Sequence, residues 1–265
     1  MKPKDYIEAN RKAWNQVAPI HEKARFEKLI NDFRKPKFSL LDTLETKKLL
    51  EIGLKGKSVI QLGCNNGREL LSIKNLGAKR VVGIDISSEF IRQANELKDT
   101  SHIEAEFVCS EVYKVPKKYD DSFDIVYISI GVISWMPDVS AFFEVCARLL
   151  KKGGTLFIYE LHPFVNMIET PEKGADGSPK ITMSYFNKKA NKEVASLDYY
   201  DGSTYESLPQ YWFGHRISEV IMAMISHGVM LKIFEEYPYD ISYIFKPLEK
   251  FKKIPLSYIL IGEKI

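Results

Sequence analysis

The chain has 265 residues, 45% hydrophobic and 28% charged, with 38 Lys and Arg against 35 Asp and Glu for a formal net charge of +3. That balance predicts a soluble globular α/β chain: one large domain with an insertion, or two small ones. It demands no polyanionic partner, and no apolar run approaches the length of a membrane span. Three singly placed cysteines, Cys64, Cys109 and Cys146, offer no C-x-x-C pair and no metal-ligand spacing. They predict buried thiols in a reducing cytoplasm, and Met1–Asp5 lacks the apolar stretch of a signal peptide.

Residues 1–50 read as helical and carry Tyr6, Trp14, His21 and Phe26. Their Lys and Arg content is read as a solvated helical face before a nucleic-acid patch. Val59–Leu62 is an apolar strand that runs into the turn Gly63-Cys64-Asn65-Asn66-Gly67 and then a helical pattern. Val81–Asp85 is a second buried strand, tipped by a carboxylate. A strand, a glycine turn, a helix and a second strand ending in Asp is the layout that grips an adenosine. A dinucleotide site wants glycine where Asn65 stands, so that backbone approaches a pyrophosphate, and no P-loop is present. The turn therefore predicts a ligand with a ribose diol and no phosphate.

Glu106–Val112 reads as a third strand and Phe123–Ser129 as a fourth. Val139, Phe142, Phe143, Cys146, Leu149 and Leu150 then share one helical face, with Lys151-Lys152-Gly153-Gly154 as the expected helix stop. Thr155–Glu160 is the fifth strand, and His162 follows it directly. From 163 the chain turns polar, with Pro171, Gly174, Gly177, Pro179 and Gly202. Ile181–Phe186 and Glu193–Tyr200 are expected to pair as a hairpin through Asn187–Lys192. Ile217, Val220, Ile221, Met224 and Ile225 form an apolar helix stripe ended by Gly228. Met230–Glu236 and Ser257–Ile261 are strands six and seven.

Five motifs in this order resemble the class I S-adenosylmethionine-dependent methyltransferases. They are the Gly63–Gly67 turn, Asp85, Ser110-Glu111-Val112, Phe123-Asp124-Ile125-Val126 and Leu149-Leu150-Lys151-Lys152-Gly153-Gly154. The match is good over residues 55–162. A looser likeness to a bacterial branch of the family extends over the whole chain. It rests on Asn10–Asn15, Gly131–Asp138, His162-Pro163-Phe164 and Trp212–Glu219. Two positions depart: Gln61 stands where the family usually has Asp or Glu, and Asn65 where it usually has Gly. Gln61 hydrogen-bonds but offers no charge to the cofactor's ammonium.

The resemblance implies an α/β fold: a doubly wound, seven-stranded, mostly parallel Rossmann-like sheet closed by an antiparallel pair, with a cap insertion after strand five. Residues 1–50 become a helical lid, 51–162 the cofactor-binding core, 163–214 the cap, and 215–265 the last helix and closing strands. It implies S-adenosylmethionine as cofactor, methyl transfer to a small-molecule acceptor, and no metal. Gly63, Cys64, Asn65 and Gly67 would meet the methionine part, Asp85 the ribose hydroxyls and Ile86 the adenine. Glu111 would accept from the adenine amino group, the Val112 backbone would meet the ring, and Ser129 would face the reacting end.

An activated sulfonium methyl asks mainly for positioning, which supplies up to about 7–11 kcal/mol. A base is needed only for an acceptor that must lose a proton; His162 is the first choice, ahead of His215 and His21. A structural histidine before Pro163 is the competing reading. Trp135 and Trp212 are core aromatics by default, or walls of an acceptor pocket. The cap aromatics Phe164, Tyr185, Tyr199, Tyr211 and Trp212 are expected to line that pocket. Two alternatives stay open. One is a nucleic-acid or protein methyltransferase, against which stand Tyr127-Ile128-Ser129-Ile130 in place of an Asp/Asn-Pro-Pro-aromatic motif and the absence of a basic stripe. The other is a domain that binds the cofactor without turnover.

Overall fold

The computed structural model describes residues 2–169, 180–200, 202 and 204–265. Pro171, Gly174, Gly177 and Pro179 of the expected turn-rich stretch lie outside them. Two helices come first, α1 (Pro3–Phe33) and α2 (Thr43–Glu51). The alternating core follows: β1 (Ser58–Leu62), α3 (Arg68–Asn75), β2 (Arg80–Asp85), α4 (Ser88–Ser101), β3 (Glu106–Cys109), β4 (Phe123–Ser129), α5 (Val139–Leu149) and β5 (Leu150–Leu161). Two short strands, β6 (Asn191–Glu193) and β7 (Gln210–Trp212), precede α6 (Ile217–Ser226), β8 (Val229–Tyr237) and β9 (Ser257–Lys264).

Among the described residues, seven strands form one sheet in the order β3-β2-β1-β4-β5-β9-β8. The first five run parallel, and β9 lies antiparallel to both β5 and β8. Strand order reverses between β1 and β4, so loops after these strands open a crevice at the sheet's carboxyl edge. The strands are apolar on both faces because helices cover both. Val59, Val81, Ile125, Tyr127 and Phe157 pack with Leu49 of α2 and Leu70 and Ile73 of α3. Their neighbours Ile60, Val82, Val126, Ile128 and Ile158 pack with Phe142, Phe143 and Cys146 of α5 and Met224 of α6. Fully burying one such side chain contributes about 1.5–3 kcal/mol.

Four local expectations are corrected. Helix α5 is not stopped by Lys151–Gly154, because Leu150 is already extended and pairs with Phe123. Thr155 pairs with Ile125, so Lys151–Gly154 bulge opposite Asp124; Gly153 takes φ +72°, and the Lys151 ammonium sits 3.0 Å from Asp124. Strand β3 ends at Cys109, and Val112 opens a short 3-10 turn. The expected hairpin does not form. Asn191–Glu193 pairs with Gln210–Trp212 instead, and Ile181 makes a single bridge to Ile168. Ile181, Phe186 and Val194 stay exposed, so the apolar residues of those stretches had no face to bury. Cys109 is also exposed, while Cys64 and Cys146 are buried.

Candidate active site at the carboxyl edge of the sheet

The turn after β1 is built for close approach. Gly63, Asn65 and Gly67 all adopt positive φ, at +70°, +49° and +76°. A Cβ on Gly67 would lie 2.4 Å from the Phe107 ring, and one on Gly63 would lie 2.7 Å from Val132. Asn65 holds a left-handed position that asparagine tolerates better than most residues, and its side-chain oxygen accepts from the Asn66 amide at 2.7 Å. Cys64 is sealed beneath the turn, so only its backbone is available there.

Asp85 is tied into this turn. Its carboxylate accepts from the Asn65 amide at 2.7 Å and from the Ser87 amide at 2.9 Å. Burial raises the carboxyl to about 6, against the pull of the Ser87, Asn65 and Ile86 amides. Each oxygen keeps a second acceptor position, so the group is both oriented and able to take further donors. Ile86 follows it, partly buried.

Ser129, at the end of β4, is buried and accepts from Gln61 Nε2 at 3.0 Å. Gln61 also donates to Glu69 Oε2 at 3.3 Å, and Glu69 is ion-paired with Arg68 at 3.1 Å. Glu111 is held 2.5 Å from Lys114, and Val112 joins the core beside the sheet. The structure thus joins the β1 turn to Asp85 and Gln61 to Ser129, and gives Glu111 an ammonium partner.

His162 has a different setting. It is buried, its Nδ1 accepts from the Phe164 amide at 3.2 Å, and its Nε2 lies 3.0 Å from Glu236 on β8. Burial lowers it to about 4. Its ring packs on Phe164 and Tyr258, and it caps the 3-10 turn that opens at Pro163. His21 is buried too, with Nε2 3.1 Å from the Leu197 carbonyl oxygen, and His215 Nε2 lies 2.7 Å from the Met136 carbonyl oxygen.

Helix α1 and residues 191–213 meet over this edge. Asn15 accepts from the Ser87 hydroxyl at 2.7 Å, and Trp14 packs against Phe90 and Trp135. The Asn10 amide bonds both the carbonyl and the amide of Tyr211, each at 2.7 Å. Gln16 does the same across Glu206 and Leu208, at 2.8 and 2.9 Å. The Arg68 guanidinium, at the start of α3, bonds the Tyr200 hydroxyl. The Phe213 amide donates to the Ser134 carbonyl at 2.7 Å. The five cap aromatics do not share one wall. Tyr185 and Trp212 line a crevice with Met167, Met183 and His215; Tyr199 packs on His21 and Tyr200, and Tyr211 on Tyr6.

Glu160 was missed as a site residue. Its buried carboxylate gathers the amides of Gly131, Ile133 and Leu161, the last at 2.8 Å, and so holds the loop after β4. Burial raises it to about 7. A carboxylate at the end of an otherwise apolar strand was the signal available.

Residues 60–158 match a family model described as a methyltransferase domain. This segment is similar to methyltransferase domains. A ubiquinone biosynthesis O-methyltransferase from Xanthomonas oryzae pv. oryzae (strain PXO99A) is 32% identical over 111 residues, 42% of this chain and 46% of the relative. The chain thus spans about half the length of the curated relatives it matches. Among solved structures, an S-adenosylmethionine-dependent methyltransferase from Mesorhizobium loti superposes with a TM-score of 0.61 at 19% identity, covering 82% of this chain and 96% of that one. A geranyl diphosphate C-methyltransferase from Streptomyces coelicolor A3(2), in complex with S-adenosyl-L-homocysteine, gives 0.57 at 12% identity, covering 84% and 79%. At these identities the two structures share the fold of this chain. Among the described residues, no helix is long and apolar enough to cross a membrane.

Proposed function

We propose that the protein binds S-adenosylmethionine at the carboxyl edge of β1, β2 and β4 and transfers its methyl group to a small-molecule acceptor. The observation that carries the reading is Asp85. Its carboxylate is aimed by two backbone amides across a turn whose glycines bring main chain within reach of a ligand. A ribose diol matches a fixed charged acceptor, since charge strengthens each hydrogen bond. Gly63, Cys64, Asn65 and Gly67 would face the methionine part with main chain. Ile86 and the Val112 backbone would flank the adenine, Glu111 would share its carboxylate between Lys114 and the adenine amino group, and Ser129 would border the reacting end. When bound, the cofactor supplies an electrophilic methyl. The chain's own task is then to orient the acceptor and exclude water. Helix α1 and the cap suit the second task, being laced together by Asn10 and Gln16, while Arg68 of α3 ties Tyr200 to the core. The proposal does not use His162 as a base: its Nδ1 already accepts from the Phe164 amide, and burial lowers the ring to about 4, which makes it a weak base.

Calorimetry and thermal shift with S-adenosylhomocysteine, NAD and ATP test the binding half. S-adenosylhomocysteine should raise the melting temperature and the other two should not. Stabilisation by NAD alone would refute it. A panel of hydroxyl, amine and thiol acceptors incubated with S-adenosylmethionine tests turnover. Binding with no methyl consumption across the panel would favour a cofactor-binding protein instead.

A further inference from the structure

The end of β1 and the turn after it hold polar atoms without a hydrogen-bond partner among the described residues. Gln61 is wholly buried at the end of β1, and its side-chain oxygen has no hydrogen-bond partner. The orientation of that amide is not arbitrary. Its nitrogen faces the Glu69 carboxylate at 3.3 Å and Ser129 at 3.0 Å, and an ionised carboxylate only accepts. The oxygen must then be the atom left over. Asn66, inside the turn and 6% exposed, carries a second side-chain oxygen without a partner. A buried acceptor with no donor loses its hydration and gains nothing in return. Two of them, on β1 and the turn that follows it, call for a donor that the described residues do not supply.

Glu69 is the charge in this neighbourhood. Its side chain is 12% exposed, one oxygen meets Arg68 and the other meets Gln61, and each retains an acceptor position. It lies in the first turn of α3, where the helix dipole favours an anion. Two neutral acceptors and a carboxylate suit a group with several N–H donors, a positive charge and no acceptor of its own. A primary ammonium is such a group. The Arg68–Glu69 pair sets both signs side by side, which suits a ligand end that carries both.

We infer that Glu69, with the side-chain oxygens of Gln61 and Asn66, receives the α-ammonium of the ligand's amino-acid end. This rests on the cofactor proposed above, whose methionine part carries that one ammonium. The carboxylate absent from position 61 at the strand end is thereby supplied from α3, eight residues on, and Gln61 becomes the connector that orients it.

The test is calorimetry on the full chain with S-adenosylhomocysteine and with 5′-methylthioadenosine, which keeps the adenosine and lacks the amino-acid end. Glu69→Gln should weaken S-adenosylhomocysteine by about 10- to 100-fold and leave 5′-methylthioadenosine within about twofold. Adding Gln61→Glu to that variant returns a carboxylate to the strand end and should restore most of the lost affinity, which a purely structural role for Glu69 would not allow. If 5′-methylthioadenosine binds and Glu69→Gln leaves both affinities unchanged, or lowers both equally, the ammonium assignment falls while the cofactor reading stands. If the unmodified protein binds neither ligand, both fall.

Discussion

Asp85 couples two tasks in one side chain. It closes the β1–α3 turn through the Asn65 amide, and in the proposed function the same carboxylate takes the ribose diol. Asp85→Ala should weaken S-adenosylhomocysteine binding by about 2–4 kcal/mol, the worth of two hydrogen bonds to a charged acceptor. The substitution also frees the Asn65 and Ser87 amides, so thermal melts are run beside the calorimetry. A folded variant with unchanged affinity would remove Asp85 from the site. Asn65 makes the complementary point. Glycine is not required at its position, because its own side chain caps the next amide in the left-handed turn. Glu160 is the third residue of this kind, since a single buried carboxylate collects two amides of the loop after β4 together with that of Leu161 at the end of β5.

At the scale of elements, α1 and the cap behave as one cover made from distant parts of the chain. Asn10 and Gln16 each use a side-chain amide as a strand would use its backbone, with one donor and one acceptor aimed at residues about 200 positions away. Such pairing orders the cap without a long strand. Asn10→Ala leaves the Tyr211 amide and carbonyl without partners and should cost about 1–3 kcal/mol of local stability. Hydrogen exchange is the measurement. Residues 191–213 should exchange faster, while β1 and β2 keep their protection. Equal acceleration throughout would mean that the cap and core unfold together and that α1 is no separate latch.

Across the whole molecule, burial sets an unusual response to pH. Burial raises Glu45, hydrogen-bonded by the Tyr127 hydroxyl, to about 8 and Glu160 to about 7. Both folded-state values lie above the unfolded carboxyl value of 4.5. Their contribution is therefore complete below that value and is lost as pH rises through the folded values. His21 and His162 are lowered by burial to about 4, from 6.5. Their contribution is complete above 6.5 and is lost as pH falls toward 4. Between pH 6.5 and 8 only the carboxyls change, so stability should decline there, by at most about 1.4 kcal/mol per pH unit for each titrating group. Glu45→Gln should flatten that decline. Chemical denaturation at several pH values checks it, and a slope unaltered by the substitution would show that Glu45 does not titrate as described.

The sequence by itself determined the frame: the order of strands and helices, the Gly63–Gly67 turn, the carboxylate at the tip of β2 and the closing strands. These are local signals, since apolar runs, helical spacing and glycines act within a few residues of themselves. What lay beyond it was set by contacts with no periodicity. The pairing of β6 with β7 was decided by how residues 191–213 meet α1, not by the apolar residues of Ile181–Phe186. The capping role of His162 depended on the Phe164 amide and Glu236 closing around it. Gln61 and Glu69 lie eight residues apart in the sequence, and no pattern marks them as partners. Only when α3 packs back beside β1 and sets the Glu69 carboxylate against the Gln61 amide does that amide acquire one orientation and leave an oxygen over. Local chemistry writes the elements, but burial decides which polar atoms go without partners, and burial exists only once the layers have closed.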